Sequence, residues 1–197
     1  MAQMENLRPI MTGRVFEIPQ NQRGFSWTDQ NLNDLVADLE LADPKAHYMG
    51  PIIVTLDGND PWQEDNYNTV VNCILEDGQQ RLTAFFLLMR SLQLRFEEID
   101  EVESMESKDI SLFLFYVLGG EKRLRLKNKN LDLDACFSHC MLDTSMPGQI
   151  TAPMEALVSA KTWSRRYFKE MDRDTCLKWK HRLTSQAMFI LVDLKIE

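Results

Sequence analysis

The chain has 197 residues, a hydrophobic fraction of 44% and a formal net charge of −8. This is enough sequence and enough apolar content for one domain, or for one domain with a small appendage, and it excludes long disorder. The acidic balance also argues against a general DNA-coating role, because contacts to phosphates need clustered cations.

In chain order, Val15 to Pro19 predicts a short strand that stops at its proline. Thr28 is a plausible helix N-cap, and Leu32, Leu35, Val36 and Leu39 follow it at helical spacing, with Pro44 as the stop. Pro51 to Leu56 is a β-branched run closed by the turn Asp57-Gly58-Asn59-Asp60-Pro61. Val70 to Leu75 is a second run of strand length that could pair with it. The pattern then predicts a helix of about 16 residues from Arg81 to Phe96, on which Leu82, Phe85, Phe86, Met89, Leu92 and Phe96 form an apolar stripe. The acidic stretch to Glu106 reads as a loop. Asp109 to Leu118 reads as a buried helix closed by Gly119-Gly120, and Lys122 to Leu126 as a strand. Leu131 to Leu142, Pro153 to Met171 and Thr175 to Ser185 read as helices, Met146-Pro147-Gly148 as a turn, and Ala187 to Val192 as a core-type strand. The expected class is α+β, a small sheet with a large helical part. A chain that stops just after such a strand reads as a piece of something longer.

No basic-then-apolar leader opens the sequence, and the longest apolar runs, Ala84 to Met89 and Leu112 to Leu118, are far short of the roughly 20 residues that span a bilayer. The expected location is therefore cytoplasmic, where Cys73, Cys136, Cys140 and Cys176 stay reduced. Cys136, His139 and Cys140 share a helical face. They read either as three metal ligands without a fourth or, preferably, as packed thiols. Charge is uneven along the chain. Glu97 to Glu106 holds six acids and no base, whereas Lys161 to Arg182 holds eight Lys or Arg against three acids. The second segment reads either as a local DNA or nucleotide contact or as a solvated helix surface.

The segment richest in chemistry is Glu76-Asp77-Gly78-Gln79-Gln80-Arg81, between a strand and a helix. Glycine permits a tight turn. The N–H groups that follow lack intrahelical partners and, with the helix dipole, suit phosphate oxygens. Arg81 adds a cationic fork. Asp77 and Glu76 could hold Mg2+ or orient a water, and Gln79 and Gln80 could position that water. A well-capped helix with a polar first turn is the alternative. A second polar cluster, Gln20 to Trp27, offers the amide of Gln22, the guanidinium of Arg23 and the ring of Trp27 to a phosphate or a base. It reads equally as a surface turn over buried rings.

Taken together, IPQNQRGFSW, HYMGPIIV and ILEDGQQRLTAFFLL, with KRLRL, RRYFKEM and QAMFILVDL further on, resemble the N-terminal domain of GmrSD-type restriction proteins over nearly the whole chain. Asn21 stands where that family usually has an aromatic residue, and Ala84 where a threonine is common. The resemblance implies a fold similar to ParB and sulfiredoxin, with a nucleotide-binding core at residues 1–100. A mainly helical extension at 101–197 would end in a strand, before a nuclease region in the same full-length chain or in a partner subunit. It implies an NTP pocket for GTP or ATP with Mg2+. Asp77, Gln79, Gln80 and Arg81 would be catalytic, Gly78, Gln22, Arg23 and Arg81 nucleotide-binding, and Asp77 the metal ligand. Gln22, Arg23 and Trp27 would sense DNA, in this family modified DNA. The implied role is an NTP-hydrolysing regulator of a phage-defence restriction system. The alternative is a modified-DNA reader that binds nucleotide without hydrolysing it. A nuclease centre within this chain is not expected, since its only histidines are the dispersed His47, His139 and His181.

Overall fold

The structure, a computed structural model, describes residues 3–146 and 148–194. It is an α+β fold on a mixed sheet. The elements are β1 (Met4–Asn6), α1 (Leu7–Met11), β2 (Arg14–Ile18), α2 (Asp29–Ala42), β3 (His47–Leu56), β4 (Trp62–Gln63), β5 (Thr69–Asp77), α3 (Gln79–Asp100), α4 (Met105–Leu114), β6 (Phe115–Leu118), β7 (Glu121–Leu124), β8 (Leu126–Asn128), α5 (Leu131–Leu142), α6 (Ala152–Phe168), α7 (Arg173–His181), a π-turn over Arg182–Gln186, and β9 (Ala187–Asp193). Strand order in the main sheet is β1-β9-β3-β5-β2-β8, with β4 paired to β5 off this path. The pairs β2/β5, β2/β8 and β3/β9 are parallel, and β3/β5 and β1/β9 antiparallel. Thus β8 and β9, both beyond residue 100, complete the sheet that carries β2, β3 and β5.

Alternation along the strands decides what each face meets. Phe16, Ile18, Ile52, Val54, Cys73, Leu75 and Phe189 point to one face and merge with the apolar sides of the helices into the main core. The centre of that core is α3. Its stripe Leu82, Phe85, Phe86, Met89, Leu92 and Phe96 is fully buried, with Phe85 edge-on to Phe189 at a centroid distance of 5.3 Å. Val15 and Val70 face the other way and pack with Tyr116 of the β6–β7 hairpin. Behind that hairpin, Arg125 and Glu64 form a buried pair at 3.0 Å, and Arg125 also donates to the carbonyls of Phe115, Leu112 and Arg14. With its donors so satisfied, burial of this pair is tolerable.

Several expectations hold closely. Thr28 is the α2 N-cap in a capping box with Asn31, α5 has the expected bounds, and β3 pairs with β5. Others need correction. The α3 helix starts at Gln79 and runs to Asp100, and α4 opens at Met105 on the Ser104 cap, so the supposed acidic loop shrinks to four residues. Ion pairs make this possible: Arg95 and Arg165 meet Glu98, and Arg173 meets Asp100 and Glu106. Asp109 to Leu118 is not one helix. Phe115-Tyr116-Val117-Leu118, aromatic and β-branched, peels off to pair with β7, and Gly119-Gly120, at φ +63° and +77°, close a hairpin rather than cap a helix. Lys122 to Leu126 splits into β7 and β8 at the buried Arg125. The helix expected at Thr175 to Ser185 ends at His181 and continues as the π-turn, and the one expected to Met171 ends at Phe168. The turn at Met146-Pro147-Gly148 falls partly outside the described residues, at Pro147.

Candidate functional site

At the carboxyl end of β5 the chain turns sharply into α3. Gly78 caps the helix at φ +95°, a left-handed conformation favouring glycine, and a Cβ there would lie 3.1 Å from the Pro51 carbonyl. Leu82 N–H bonds to the Gly78 carbonyl at 2.9 Å, so the helical ladder begins there and the N–H groups of Gln79, Gln80 and Arg81 precede it. Above this turn lies the loop that leaves β2. Its residues Gln22, Arg23 and Trp27, with Asp77, Gly78, Gln79, Gln80 and Arg81, line one open cleft of about 360 Å3. Of the residues singled out for chemistry in the two motifs, these face one cleft, whereas Glu76 does not line it: its carboxylate accepts from the Thr55 hydroxyl at 3.0 Å.

The amides stitch the two segments together. Gln22 Nε2 donates to the Glu76 carbonyl at 3.0 Å and Gln79 Nε2 to the Arg23 carbonyl at 3.2 Å. Gln80 uses both ends, accepting from Ser26 N–H at 2.9 Å and donating to the Gly24 carbonyl at 3.1 Å. Arg81 is held still more firmly. Its Nη1 donates to the Met49 carbonyl at 2.6 Å and its Nη2 to the Pro51 carbonyl at 3.0 Å, while Asp77 lies 3.8 Å away. The guanidinium fills the space over Gly50, where a Cβ would sit 1.5 Å from Nη1. Gly50 itself has φ +104°. Arg81 is thus a latch between the first turn of α3 and β3, whereas Arg23 is exposed and makes no ion pair among the described residues.

Sequence reasoning missed several neighbours. Gly24 is wedged by Pro153 at the start of α6, whose side chain would come within 2.5 Å of an added Cβ. A second, narrower space of about 20 Å3 is lined in equal number by polar residues, Gln79, Gln80 and Thr83 among them, and by apolar ones, including Phe25, Leu133 and Phe137. Gln79, only 7% exposed, borders both spaces, and its Oε1 has no protein partner. Gly50 lay within a motif, but nothing in its spacing reveals the arginine that crosses it.

A triphosphate with Mg2+ fits this donor set. Helix N–H groups, Arg23 and the edge of Arg81 face the cleft, Trp27 offers a ring, and Asp77 offers a carboxylate on the rim, its side chain 61% exposed. Among the described residues no three His, Cys, Asp or Glu converge on a metal position, so Mg2+ there would take most of its oxygens from phosphate and water. The same holds for Cys136, His139 and Cys140. Both thiols are buried, Cys136 reaches the Met154 carbonyl, and His139 contacts the Thr144 carbonyl instead. Burial pushes the Cys140 thiol up to about 12, as expected of a packed thiol rather than a ligand.

The site is thus a strand–glycine–helix turn of an α+β fold with a polar loop laid over it. Residues 5–190 match the model of the GmrSD restriction endonuclease N-terminal domain, and the chain belongs to that family. Comparison with curated proteins gave no significant match. It is accordingly the N-terminal domain of a restriction system, associated through its family with DNA and a nuclease domain. No helix among the described residues is long and apolar enough to cross a membrane.

Proposed function

We propose that this chain binds a nucleoside triphosphate with Mg2+ in the cleft and hydrolyses it to control DNA cleavage by a nuclease domain in the same protein or a partner. The observation that carries the reading is the convergence of Gln22, Arg23, Trp27 and Asp77 to Arg81 around one cleft at the start of a 22-residue helix. The phosphoryl group and metal would come with the nucleotide. The helix N–H groups and the dipole bind phosphate oxygens, Arg23 neutralises charge, Asp77 holds the metal, and Gln22 and Trp27 face whatever lies at the mouth.

The contacts of Arg81, Gln79 and Gln80 favour one second reading, that of a modified-DNA reader in which nucleotide is bound but not cut. Those side chains, expected to drive hydrolysis, are spent on backbone groups. The two readings separate by measuring phosphate release from GTP, ATP, CTP and UTP, with and without modified DNA, beside a thermal melt with each nucleotide. Binding at 100 times Kd raises stability by about 2.7 kcal/mol. Turnover that Asp77→Ala removes supports hydrolysis. A shifted melt without turnover supports the reader. No shift with any nucleotide overturns both.

A further inference from the structure

The far end of α3 carries a second feature that the cleft does not use. Between α3 and α6 lies a hollow of about 540 Å3 lined by Ser91, Arg95, Glu98, Arg165, Arg166 and Lys169. Four cations surround it with one acid. In a chain with 30 acids and 22 bases, such a surplus needs a cause. Of the five other bases of Lys161 to Arg182, four, Lys161, Arg173, Lys180 and Arg182, meet a carboxylate within 3.1 Å, and Lys178 meets none among the described residues. Around the hollow, Arg95 and Arg165 share Glu98, and Arg166 comes only within 3.7 Å of Asp29. Lys169 meets no carboxylate among the described residues. Attraction to a helix C-terminus accounts for bases in the last turn of α6. It does not account for Arg95, which stands more than a turn before the end of α3.

Two of the forks are already oriented. Arg95 donates through Nε and Nη2 to the Met171 carbonyl at 3.0 and 2.9 Å, and Arg165 is fixed at 2.9 Å from Glu98. Prior ordering lowers the entropic cost of receiving an anion, and guanidinium forks match phosphate oxygens. Ser91, 3% exposed, forms the floor and leaves the two helices close together. We infer that this hollow binds the phosphodiester backbone of DNA, as a site separate from the nucleotide cleft. Ser91 and Gln79 are twelve residues apart on one helix, or about 18 Å at 1.5 Å per residue. A duplex repeats every ~3.4 Å, so a strand anchored here lies about five base pairs from the cleft mouth. The site would hold DNA in register and read no sequence.

The test uses the full chain and a fluorescent 20-base-pair duplex, with anisotropy followed as a function of salt. Arg166→Gln with Lys169→Gln removes two exposed cations that no strong internal contact requires. Affinity should fall about tenfold and the salt slope by about 2, since each phosphate contact contributes roughly 0.9. The melt and any nucleotide binding should stay unchanged. Lys169→Glu alone should act in the same direction. An unchanged affinity and slope in both variants, a wild-type chain that ignores DNA, or equal binding of poly-glutamate would overturn the assignment. Loss of nucleotide binding with the slope intact would instead count against the cleft reading alone.

Discussion

The two ends of α3 differ in the contacts that dominate them, although Arg95 near the C-terminal end also donates to the Met171 carbonyl. At the N-terminal end, polar side chains bond to backbone groups of distant segments: Gln22 to Glu76, Gln79 to Arg23, Gln80 to Gly24 and Ser26, Arg81 to Met49 and Pro51. At the C-terminal end, acids of Glu97 to Asp109 face bases of Arg165 to Lys180 in side-chain pairs. A backbone acceptor cannot swing away, so the first arrangement fixes loop geometry. Ion pairs between side chains, here half-buried, leave both partners free to exchange for others more readily than a backbone carbonyl does. The difference teaches that the cleft is rigid by construction and the charged seam is adjustable, which suits a site of defined shape at one end and an electrostatic surface at the other.

The strongest way to break this contrast is Gly50→Ala. The new methyl meets Arg81 Nη1 at 1.5 Å and the residue keeps a positive φ. Backbone strain of about 1–3 kcal/mol adds to the loss of charge-assisted bonds worth about 1.5–3 kcal/mol each. With the Nη1 bond to Met49 lost and the Nη2 bond kept, the expected destabilisation is about 3–5 kcal/mol, read from chemical denaturation. Arg81→Lys keeps the charge but cannot reach both carbonyls, and should lose about 2 kcal/mol with weakened nucleotide binding. If Arg81→Lys melts like the parent, Arg81 is not a latch.

A smaller effect is expected from Gln80→Ala. It removes two bonds from the loop over the cleft and leaves Ser26 N–H and the Gly24 carbonyl close to solvent, at a cost of about 1–2 kcal/mol. Hydrogen exchange at residues 22–27 should rise selectively, while amides in the middle of α3 keep their protection. Unchanged exchange at residues 22–27 would show that the loop is held by Phe25 and Pro153 without Gln80.

Much of this was legible in the sequence, for identifiable reasons. The α3 stripe repeats at helical spacing, Thr28 and Pro44 bracket α2, and the two polar motifs share the chemistry that brings them together. What was not legible depends on partners far along the chain. The strand Phe115–Leu118 looks helical until β7 is placed beside it, and Arg125 divides a strand because Glu64 is buried opposite. Short elements such as β1 and α1, three and five residues long, carry too few positions for a period. The role of Arg81 was hidden because its acceptors are carbonyls of Met49 and Pro51, which no side-chain pattern records. The basic run of Lys161 to Arg182 was ambiguous for the same reason. Its neutralising acids lie on α3, α4 and the ends of α2 and α5, and only the fold shows that the bases around the α3–α6 hollow lack enough of them.

The smallest effect concerns acid, and it probes the seam rather than the cleft. Burial would raise the Asp109 carboxyl, but hydrogen bonds and charge from Arg8 and Lys180 outweigh it and hold it below the usual 3.8. Asp43 is lowered first by the Gln186 amide and then by Arg182, and Asp143 first by Lys161. In each case the folded carboxyl takes up its proton at lower pH than the unfolded one, so the stabilisation is complete above the unfolded value of 3.8. It is lost as pH falls through the folded value. Asp134, raised by burial despite its bond from Asn128 N–H, runs the other way and gains as it is protonated. With Asp57 and Asp172 also lowered, five depressed carboxyls against one raised give a net loss. The melting temperature should be flat from pH 7 to about 5 and drop by a few degrees below about pH 4, since roughly 1 kcal/mol moves a chain of this size by about 2–4 °C. Lys180→Gln should flatten the drop by removing one of the two cations on Asp109, while Gln80→Ala, a neutral change at the cleft, should leave its shape intact. An acid transition that Gln80→Ala reshapes and Lys180→Gln does not would place the adjustable charge at the wrong end of α3.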